Sequence, residues 1–334
     1  MVKNKYDMAI KWYAGIDIGG TKSAVLLIDS NGNLAERQER PTTKGKNNWQ
    51  PTVEFFKESL LDYSQRENLS AVGISCGGPL NSREGTILSP PNLPGWDNVP
   101  IVKILRESSG LPVALENDAN AGAMAEWLYG AGKGFSNVIF LTFGTGLGAG
   151  LILNGKLYTG TNDLGGEVGH IRLADDGPIG YNKRGSFEGF CSGTGLAQLM
   201  AFELLCLKEE VGEKEMLSRY KEPGRVTGRD VVEWARNNDE LALQVVNKSG
   251  RYLGQGLSVL IDILNPELII IGSMGVRLGD LLFDPARKVI EKEVVPGANE
   301  VCRIVPASLG EKIGDYAALC VAIEAEKKNK NPND

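Results

Sequence analysis

Two glycine-rich stretches, each lying between apolar segments, constrain this chain more than any other feature of its sequence. Residues 14–22 read AGIDIGGTK and residues 142–150 read TFGTGLGAG. The flanks of both read as β-strands, so each stretch is predicted to form a tight turn between paired strands. The two stretches align with one another, and each is followed by an apolar strand and an Asn–Gly turn. This pattern predicts an internal repeat.

The first stretch has the side chains expected of a phosphate-binding loop. Gly19 and Gly20 carry no Cβ, so a bulky anion can approach the backbone amides closely. Asp17 supplies a carboxylate that can hold a metal ion directly or through water, and Thr21 and Lys22 add a hydroxyl and a cation. The alternative is an ordinary Gly–Gly turn with solvated charges, and the stretch alone does not separate the two.

Length and composition favour a globular protein of two domains. The chain has 334 residues, and this length exceeds the usual size of one domain. Hydrophobic residues make up 42% of it, which is enough for buried cores. Its net charge is −6 with no basic block, so we expect neither nucleic acid nor a membrane as a partner. No apolar run is long enough to span a bilayer, and the first residues lack an apolar signal core. Five scattered cysteines favour buried thiols in a reducing compartment, which predicts a cytoplasmic protein.

Asp118 follows a short predicted strand at residues 113–115 and precedes a predicted helix of small residues at 121–127. The commonest role of an aspartate in this position is to cap the helix. However, Glu116 and Asn117 stand directly before it, and such a junction lies at the edge of a sheet where α/β folds bind ligands. We therefore predict that Asp118 contacts a ligand.

The second glycine stretch does not fit a dinucleotide-binding motif. Gly144, Gly146 and Ala149 have the required spacing, but apolar residues and an Asn–Gly turn follow them instead of a helix. A Walker P-loop occurs nowhere in the sequence. Two similar sheets that each present a glycine hairpin can instead hold an oligophosphate between them. The loop at residues 272–275 follows a buried strand and is suited to a nucleoside.

His170 is the only histidine of the chain, and a lone histidine is usually structural. This one stands three residues after Glu167 in a glycine-rich segment, which favours a hydrogen bond to a ligand. A metal site built from several histidines is excluded, because there is no second histidine.

Together these motifs resemble the ROK family of sugar kinases from about residue 13 to about residue 325. The segments DIGGTK, ENDANA, FGTGLGAG and GGEVGH stand in the family's order and spacing, and residues 77–85 also look like the kinase half of the animal N-acetylmannosamine enzyme. The resemblance implies an α/β protein with the actin-like ATPase, or ribonuclease H-like, fold. It implies two similar domains with a cleft between them, which we place at residues 1–119 plus 312–334 and at residues 120–311. A homodimer is also expected.

The resemblance assigns roles to single residues. It implies that Asp118 is the base that takes the proton from a sugar hydroxyl, usually the one on carbon 6. The positions that correspond to sugar contacts are Gly78, Asn92, Asn117, Glu167, His170 and Glu188. The residues that we assign to ATP are Asp17, Gly19, Gly20, Thr21, Lys22, Gly144, Thr145, Gly146, Gly193, Gly272 and Met274. Asp17 is also expected to orient Mg2+ through water.

The chain departs from the family at its zinc motif, a histidine with three cysteines. Ile179, Tyr181 and Ser186 replace the three cysteines, and one histidine cannot build a four-ligand site. We therefore predict that the protein holds no zinc. We also predict that apolar packing around Ile179 and Tyr181 holds this loop, so that His170 is free to bond the sugar.

These assignments predict a kinase that transfers the γ-phosphate of ATP to a hexose hydroxyl with the help of Mg2+. Glucose is the first choice of sugar, N-acetylmannosamine or another N-acetylhexosamine the second, and fructose the third. A transcriptional repressor of the same family would need a helix-turn-helix before the first hairpin, whereas only about a dozen residues precede Ile16. A non-catalytic sugar sensor is disfavoured because Asp17, Lys22 and Asp118 are intact.

Overall fold

A computed structural model describes residues 10–45 and 48–331 of the chain. Within them the chain forms two compact units. The first contains the residues up to Ala125, the short segment Thr161–Asp163 and the residues from Glu311 onward. The second contains Glu126–Gly160 and Leu164–Gly310.

The strands of the described residues are, in chain order, β1 (Trp12–Ile18), β2 (Lys22–Asp29), β3 (Leu34–Pro41), β4 (Leu69–Cys76), β5 (Leu80–Asn81), β6 (Thr86–Ile87), β7 (Val113–Asn117), β8 (Val138–Leu141), β9 (Ala149–Leu153), β10 (Lys156–Tyr158), β11 (Ile179–Gly180), β12 (Lys183–Arg184), β13 (Leu268–Ile271) and β14 (Arg303–Pro306).

The α-helices are α1 (Gln50–Arg66), α2 (Ile101–Ser109), α3 (Asp118–Tyr129), α4 (Phe187–Phe190), α5 (Gly193–Val211), α6 (Glu213–Arg219), α7 (Gly228–Arg236), α8 (Glu240–Leu264), α9 (Met274–Leu278), α10 (Asp280–Glu293), α11 (Pro296–Val301) and α12 (Ile313–Lys330). Short 3-10 segments lie at Val168–His170, Pro223–Arg225 and Gly310–Lys312. Among residues 10–45 and 48–331, no helix combines the length and apolarity needed to cross a membrane.

Each unit is built on a five-stranded sheet, and the two sheets have the same plan. The strand order is β3-β2-β1-β4-β7 in the first unit and β10-β9-β8-β13-β14 in the second. In both, the first three strands are antiparallel and the last two run parallel to the central one. The predicted internal repeat is therefore confirmed, and both glycine stretches connect the paired strands that the sequence indicated.

The sheet of the first unit is covered on one face by α1 and α2. Apolar side chains of β1 and β4, such as Ile16 and Ile74, pack there with Phe56 and Leu105 in one buried cluster. The core of the second unit lies between its sheet and helices α5, α7, α8 and α10. Because strands alternate their side chains between faces, the opposite face of β1 and β4 is free for a different partner.

That partner is α12, which packs directly on two glycines. Gly15 of β1 and Gly73 of β4 lie opposite one another in the parallel register. A Cβ at position 73 would lie 2.2 Å from Ala318 O and 2.2 Å from Ala322 N, and one at position 15 would lie 2.9 Å from Ala318 Cβ. The fully buried Ala318 can contact the sheet backbone only because both strand positions lack a side chain.

Two helix starts have local signals in the sequence, since the spacing of Thr227 and Asp230 predicts a capping box and a long helix is predicted from Asp239 to Leu264. Thr227 and Asp230 form the predicted capping box of α7, in which each side chain bonds the other residue's backbone N–H. Asp239 caps α8 by accepting a hydrogen bond from Ala242 N at 2.9 Å.

The polar residues from Lys327 onward predict a frayed tail, and this prediction is wrong for the residues that the structure describes. Helix α12 continues to Lys330. Lys327 pairs with Glu324 at 2.6 Å and Lys330 with Glu326 at 2.5 Å, and basic residues in a last helical turn also favour the helix dipole. Residues 332–334 lie outside the described residues.

The close contact of α12 with the sheet gives a stability test. Gly73→Ala is expected to lower the free energy of unfolding by about 3 kcal/mol, because the new methyl group has no space. Gly297→Ala in α11 is the matched control, since nothing lies within 4 Å of a Cβ there, and it should change stability by less than about 1 kcal/mol. Denaturant unfolding measures both. Equal effects of the two substitutions would contradict the packing described here.

Candidate active site

The first glycine turn is closed by contacts that exclude side chains. Gly19 N donates to Lys22 O at 3.1 Å, and a Cβ on Gly19 would lie 2.7 Å from that oxygen. A Cβ on Gly20 would lie 2.9 Å from Asn92 O. Both glycines are therefore required for the shape of the turn.

A buried pair of hydroxyl groups supports this turn from below. Thr42 Oγ1 donates to Gly19 O at 2.7 Å and shares a hydrogen bond of 2.8 Å with Ser23 Oγ. Sequence reasoning missed Thr42, because it lies just after β3, far from Gly19 in the sequence, and the contact has no local signal. At the surface, Lys22 Nζ pairs with Glu39 at 3.0 Å, so this predicted phosphate ligand lies in an exposed ion pair.

Parallel strand register places the predicted acids near one another. β1, β4 and β7 are adjacent, with Asp17 opposite Ser75 and Cys76 opposite Asn117. Asp118 follows Asn117 directly as the first residue of α3. The carboxyl ends of three neighbouring strands thus bring together two carboxyl groups that lie about a hundred positions apart in the sequence.

Both carboxyl groups hold their protons more tightly than usual. Burial, followed by the charge of nearby Asp118, raises the pKa of Asp17 from 3.8 to about 6, and Asp315 adds to the effect. Arg37 and Lys22 act in the opposite direction. Desolvation by the surrounding protein raises the pKa of Asp118 as well, although Asp118 is an exposed residue. A carboxyl group that is accessible and has a raised pKa is suited to accept a proton.

Two carboxamides and two glycines surround Asp118. A Cβ on Gly77 would lie 3.3 Å from Asn92 Nδ2 and 3.7 Å from Asp118 Oδ2. A Cβ on Gly78 would lie 3.1 Å from Asn117 Nδ2. The predicted residues Gly78, Asn92 and Asn117 therefore lie beside the predicted base, with hydrogen-bonding groups and little bulk.

The positions of these carboxamides are fixed by other contacts. Asn117 Oδ1 accepts a hydrogen bond from Ala119 N at 2.9 Å, which caps the start of α3. Asn92 lies in a loop that is anchored by the fully buried Trp96, whose Nε1 donates to Thr43 O at 2.9 Å. The loop is therefore rigidly placed despite its glycine and proline content.

In the second unit, the predicted nucleotide residues also come together. Gly144 N donates to Gly146 O at 2.9 Å, which closes the second glycine turn. Gly193 N donates to Gly144 O at 2.8 Å, and Thr194 N donates to Thr145 O at 3.3 Å. The turn after β8 is thereby bonded to the start of α5.

The loop after β13 completes this group. Gly272 N donates to Leu141 O at 2.8 Å and Met274 N donates to Phe143 O at 3.0 Å. A Cβ on Gly193 would lie 3.1 Å from Met274 Cε, so the glycine leaves space for the methionine. Gly144, Thr145, Gly193, Gly272 and Met274 thus form one backbone-rich surface at the carboxyl ends of two parallel strands.

Glu188 joins this surface to the predicted sugar-binding residues of the same unit. Its Oε2 accepts a hydrogen bond from Leu147 N at 3.0 Å, and a Cβ on Gly146 would lie 2.6 Å from that oxygen. A Cβ on Gly169 would lie 3.3 Å from Glu188 Cβ, which places the 3-10 segment next to it. Glu188 therefore supports the glycine turn in addition to any contact with a ligand.

The structure contradicts the predicted apolar packing of the loop around Ile179. Ile179 is 43% exposed and Tyr181 is 62% exposed. The loop is instead a hairpin of β11 and β12, whose strands pair Ile179 with Arg184 and Gly180 with Lys183. Hydrogen bonds rather than buried apolar side chains hold the hairpin, and the Gln198 side chain on α5 bonds the backbone of Ile179 in β11.

The first unit also contains an acid that sequence reasoning did not assign to the site. Asp315 stands at the beginning of α12 and pairs with Arg37 at 3.3 Å, and its charge contributes to the raised pKa of Asp17. Its neighbour Gly314 leaves room for Asp17, since a Cβ there would lie 3.0 Å from Asp17 Oδ2. Only the tertiary fold reveals this, because the two ends of the chain meet there.

The chain belongs to the ROK family, whose model matches residues 13–325. Its two α/β units with duplicated sheets have the actin-like ATPase fold of the ROK sugar kinases.

Individual relatives cover nearly the whole chain. A glucokinase from Halalkalibacterium halodurans is 31% identical over 98% of this chain and 99% of its own length. The crystal structure of a ROK family glucokinase from Streptomyces griseus, in complex with glucose and AMPPNP, is 30% identical with a TM-score of 0.74. It covers 94% of this chain and 99% of its own. A xylose repressor from Bacillus spizizenii is 26% identical over 93% of this chain and 76% of the repressor.

The raised pKa of Asp17 predicts a substitution that stabilises the protein. At pH 7 the folded state holds an unfavourable charge at this position, so Asp17→Asn should raise the free energy of unfolding by about 1–2 kcal/mol. The gain should shrink between pH 6 and pH 4 and vanish below pH 4, since the carboxyl group is then neutral in both folded and unfolded states.

Unfolding is measured from about pH 3 to pH 7 without nucleotide or divalent cation. Asp175→Asn, at an exposed position, is the control and should show no such pH dependence. A variant at Asp17 that is less stable than the parent protein at pH 7 would contradict the charge crowding.

Proposed function

We propose that this protein is an ATP-dependent hexose kinase in which Asp118 accepts the proton of the hydroxyl on carbon 6 of glucose. The observation that carries the assignment of the base is the position of Asp118. Asp118 is an exposed residue, desolvation by the surrounding protein raises the pKa of its carboxyl group, and it lies beside Gly77, Asn92 and Asn117 at the carboxyl ends of parallel strands. The glucokinase relatives support the reaction and the choice of sugar.

In the proposed reaction the phosphates of ATP bind to backbone amides of the two glycine turns. The glycines let each turn close on its neighbours, Gly20 against Asn92 and Gly146 against Glu188, so that the backbone of both turns is held in a fixed arrangement. Gly193, Gly272 and Met274 would contact the nucleoside. Phosphoryl transfer depends mainly on alignment and on neutralising charge, and a pre-formed backbone surface provides alignment at little entropic cost.

The environment of Asp17 suits a divalent cation held through water, since no three acids of the described residues are grouped to bind one directly. Burial and two neighbouring acids, Asp118 and Asp315, disfavour the charged form of Asp17, and a cation would offset that cost. Asp17 would hold Mg2+ through water, and the ion would supply positive charge to the phosphate groups when bound. Oxygen ligands of this kind are the ones that Mg2+ prefers.

The sugar would be oriented by hydrogen bonds from both carboxamides and from the second unit's polar residues. Asn92 and Asn117 can donate to ring hydroxyls while Asp118 accepts the proton that is lost. Glu167, His170 and Glu188 would bind other hydroxyls, and Glu188 would do so with the oxygen that does not accept from Leu147. Buried polar groups left unpaired cost about 1–3 kcal/mol each, so sugars with a missing or inverted hydroxyl should be rejected.

Further parts of the proposal concern the organisation of the protein. We place its domains at residues 1–119 plus 312–334 and at residues 120–311, and we propose a cytoplasmic homodimer. All five cysteines are free thiols, which is in keeping with a reducing compartment. The homodimer rests on the family resemblance alone.

The base assignment predicts the effect of Asp118→Asn. Without a proton acceptor, kcat should fall at least about a thousandfold, while calorimetric binding of the sugar stays measurable because the carboxamide keeps the shape of the side chain. Asp175→Asn is the control and should leave kcat unchanged. A variant at Asp118 that turns over at the normal rate would refute the assignment.

A panel of sugars separates the proposed function from its rivals. Coupled ADP release should be fastest with glucose and absent with 6-deoxyglucose, which lacks the accepting hydroxyl. A kcat/KM that is higher with N-acetylmannosamine or fructose than with glucose would identify that sugar as the substrate instead. Sugar binding without any ADP release would instead favour a non-catalytic sensor.

A further inference from the structure

The segment that replaces the family's zinc motif has side chains that do not fit a metal. Ile179 and Tyr181 are exposed and carry no metal-binding group suited to zinc. Ser186 is fully buried and caps α4, accepting a hydrogen bond from Gly189 N at 3.1 Å. Across residues 10–45 and 48–331, no three His, Cys, Asp or Glu side chains are grouped so that they could hold a metal ion. The hairpin must be held in another way.

One carboxamide holds the first strand of the hairpin. Gln198 Oε1 accepts a hydrogen bond from Ile179 N at 2.9 Å, and Gln198 Nε2 donates to Ile179 O at 2.8 Å. The side chain therefore satisfies both backbone groups of one residue, as a neighbouring strand would. Gln198 lies on the long helix α5, whose start is capped by Ser192 at 2.9 Å from Gly195 N, so the hairpin is attached to a well-anchored element.

The second strand of the hairpin holds the segment that carries His170. Lys183 Nζ donates to His170 O at 2.6 Å, a charge-assisted bond that is stronger than one between neutral groups. Backbone bonds continue the pairing, from Phe187 N to Ile171 O at 2.8 Å and from Leu173 N to Gly185 O at 2.8 Å. A displacement of the hairpin would therefore displace the histidine.

The turn of the hairpin contacts the histidine ring. Tyr181 and Asn182 have φ values of 41° and 64°, as in a two-residue turn with both central residues left-handed. Asparagine tolerates this conformation well, whereas it is unfavourable for tyrosine. The turn places the Tyr181 ring 5.2 Å from the His170 ring at an interplanar angle of 83°. The hairpin thus fixes both the main chain and the ring of His170.

We propose that this hairpin is a metal-free platform that positions His170, with Lys183 and Gln198 as the positioning residues in place of zinc. The role of the platform in sugar binding rests on the function proposed above. The structural part of the proposal, that Lys183 and Gln198 hold the hairpin, depends only on the hydrogen bonds of these two side chains.

The kinetic test uses substitutions at Lys183. Lys183→Met keeps the length of the side chain but cannot donate to His170 O, and we expect it to raise the KM for the sugar about five- to twentyfold. The kcat and the KM for ATP should each change less than about twofold. Lys183→Arg can still donate and should remain within about threefold of the parent protein. Lys156→Met, at an exposed lysine of β10, is the control and should have no effect.

An independent test follows the hairpin without the reaction. In Gln198→Met, which keeps the volume of the side chain but loses both hydrogen bonds, backbone amides of residues 177–187 should exchange with deuterium at least about tenfold faster than in the parent protein. Purified protein should contain far less than one zinc per chain, and a zinc chelator should change neither the exchange nor the melting temperature.

The outcomes are distinct. One tightly held zinc per chain, unchanged exchange in the variant at Gln198, or an unchanged sugar KM in Lys183→Met would each overturn the platform. If the parent protein phosphorylates no hexose, the proposed function is refuted, but hydrogen exchange and metal content still test whether the hairpin is held without zinc. Faster exchange in Gln198→Met, in a protein that contains no zinc, would then support the platform.

Discussion

The unfavourable charge of Asp17, at the end of the central strand, is the constraint on which the site of the first unit depends. The register of β1, β4 and β7 brings Asp17 and Asp118 together, and burial first and the charge of Asp118 second raise the pKa of Asp17. Strand pairing and the direct packing of α12 on Gly73 hold this arrangement. A proton or a cation at this place lowers the free energy of the site, which is the property that a phosphoryl-transfer centre needs.

The two units share a sheet plan but support their glycine turns differently. In the first, a hydroxyl from Thr42 bonds the carbonyl of Gly19. In the second, the carboxylate of Glu188 bonds the amide of Leu147, and the start of α5 bonds Gly144. The repeated strands therefore fix where each turn lies, and the contacts beneath each turn are specific to its unit. Duplication of the fold is compatible with different chemical roles for the two turns.

Much of this could be predicted from the sequence because its signals are local. The glycine turns, the capping box at Thr227 and the position of Asp118 after a strand all depend on residues close together in the chain. Contacts between distant residues could not be predicted in the same way. Thr42 beneath Gly19, Asp315 near Asp17 and Gln198 on Ile179 become visible only when the fold joins them. The prediction of apolar packing around Ile179 was wrong for this reason, since the partner of its backbone lies on another element.

The hairpin of β11 and β12 shows what a structural metal has to provide in this setting. The position of His170 depends on the backbone of Ile179, on the carbonyl group of His170 and on the ring contact with Tyr181. The first two are polar groups, and polar groups can be held by a carboxamide and an ammonium as well as by covalent attachment to metal ligands. Each such bond contributes less than a metal–ligand bond. Further backbone hydrogen bonds, such as the one from Phe187 N to Ile171 O, also hold this segment. A hairpin held by these bonds in place of zinc would keep its shape regardless of zinc supply.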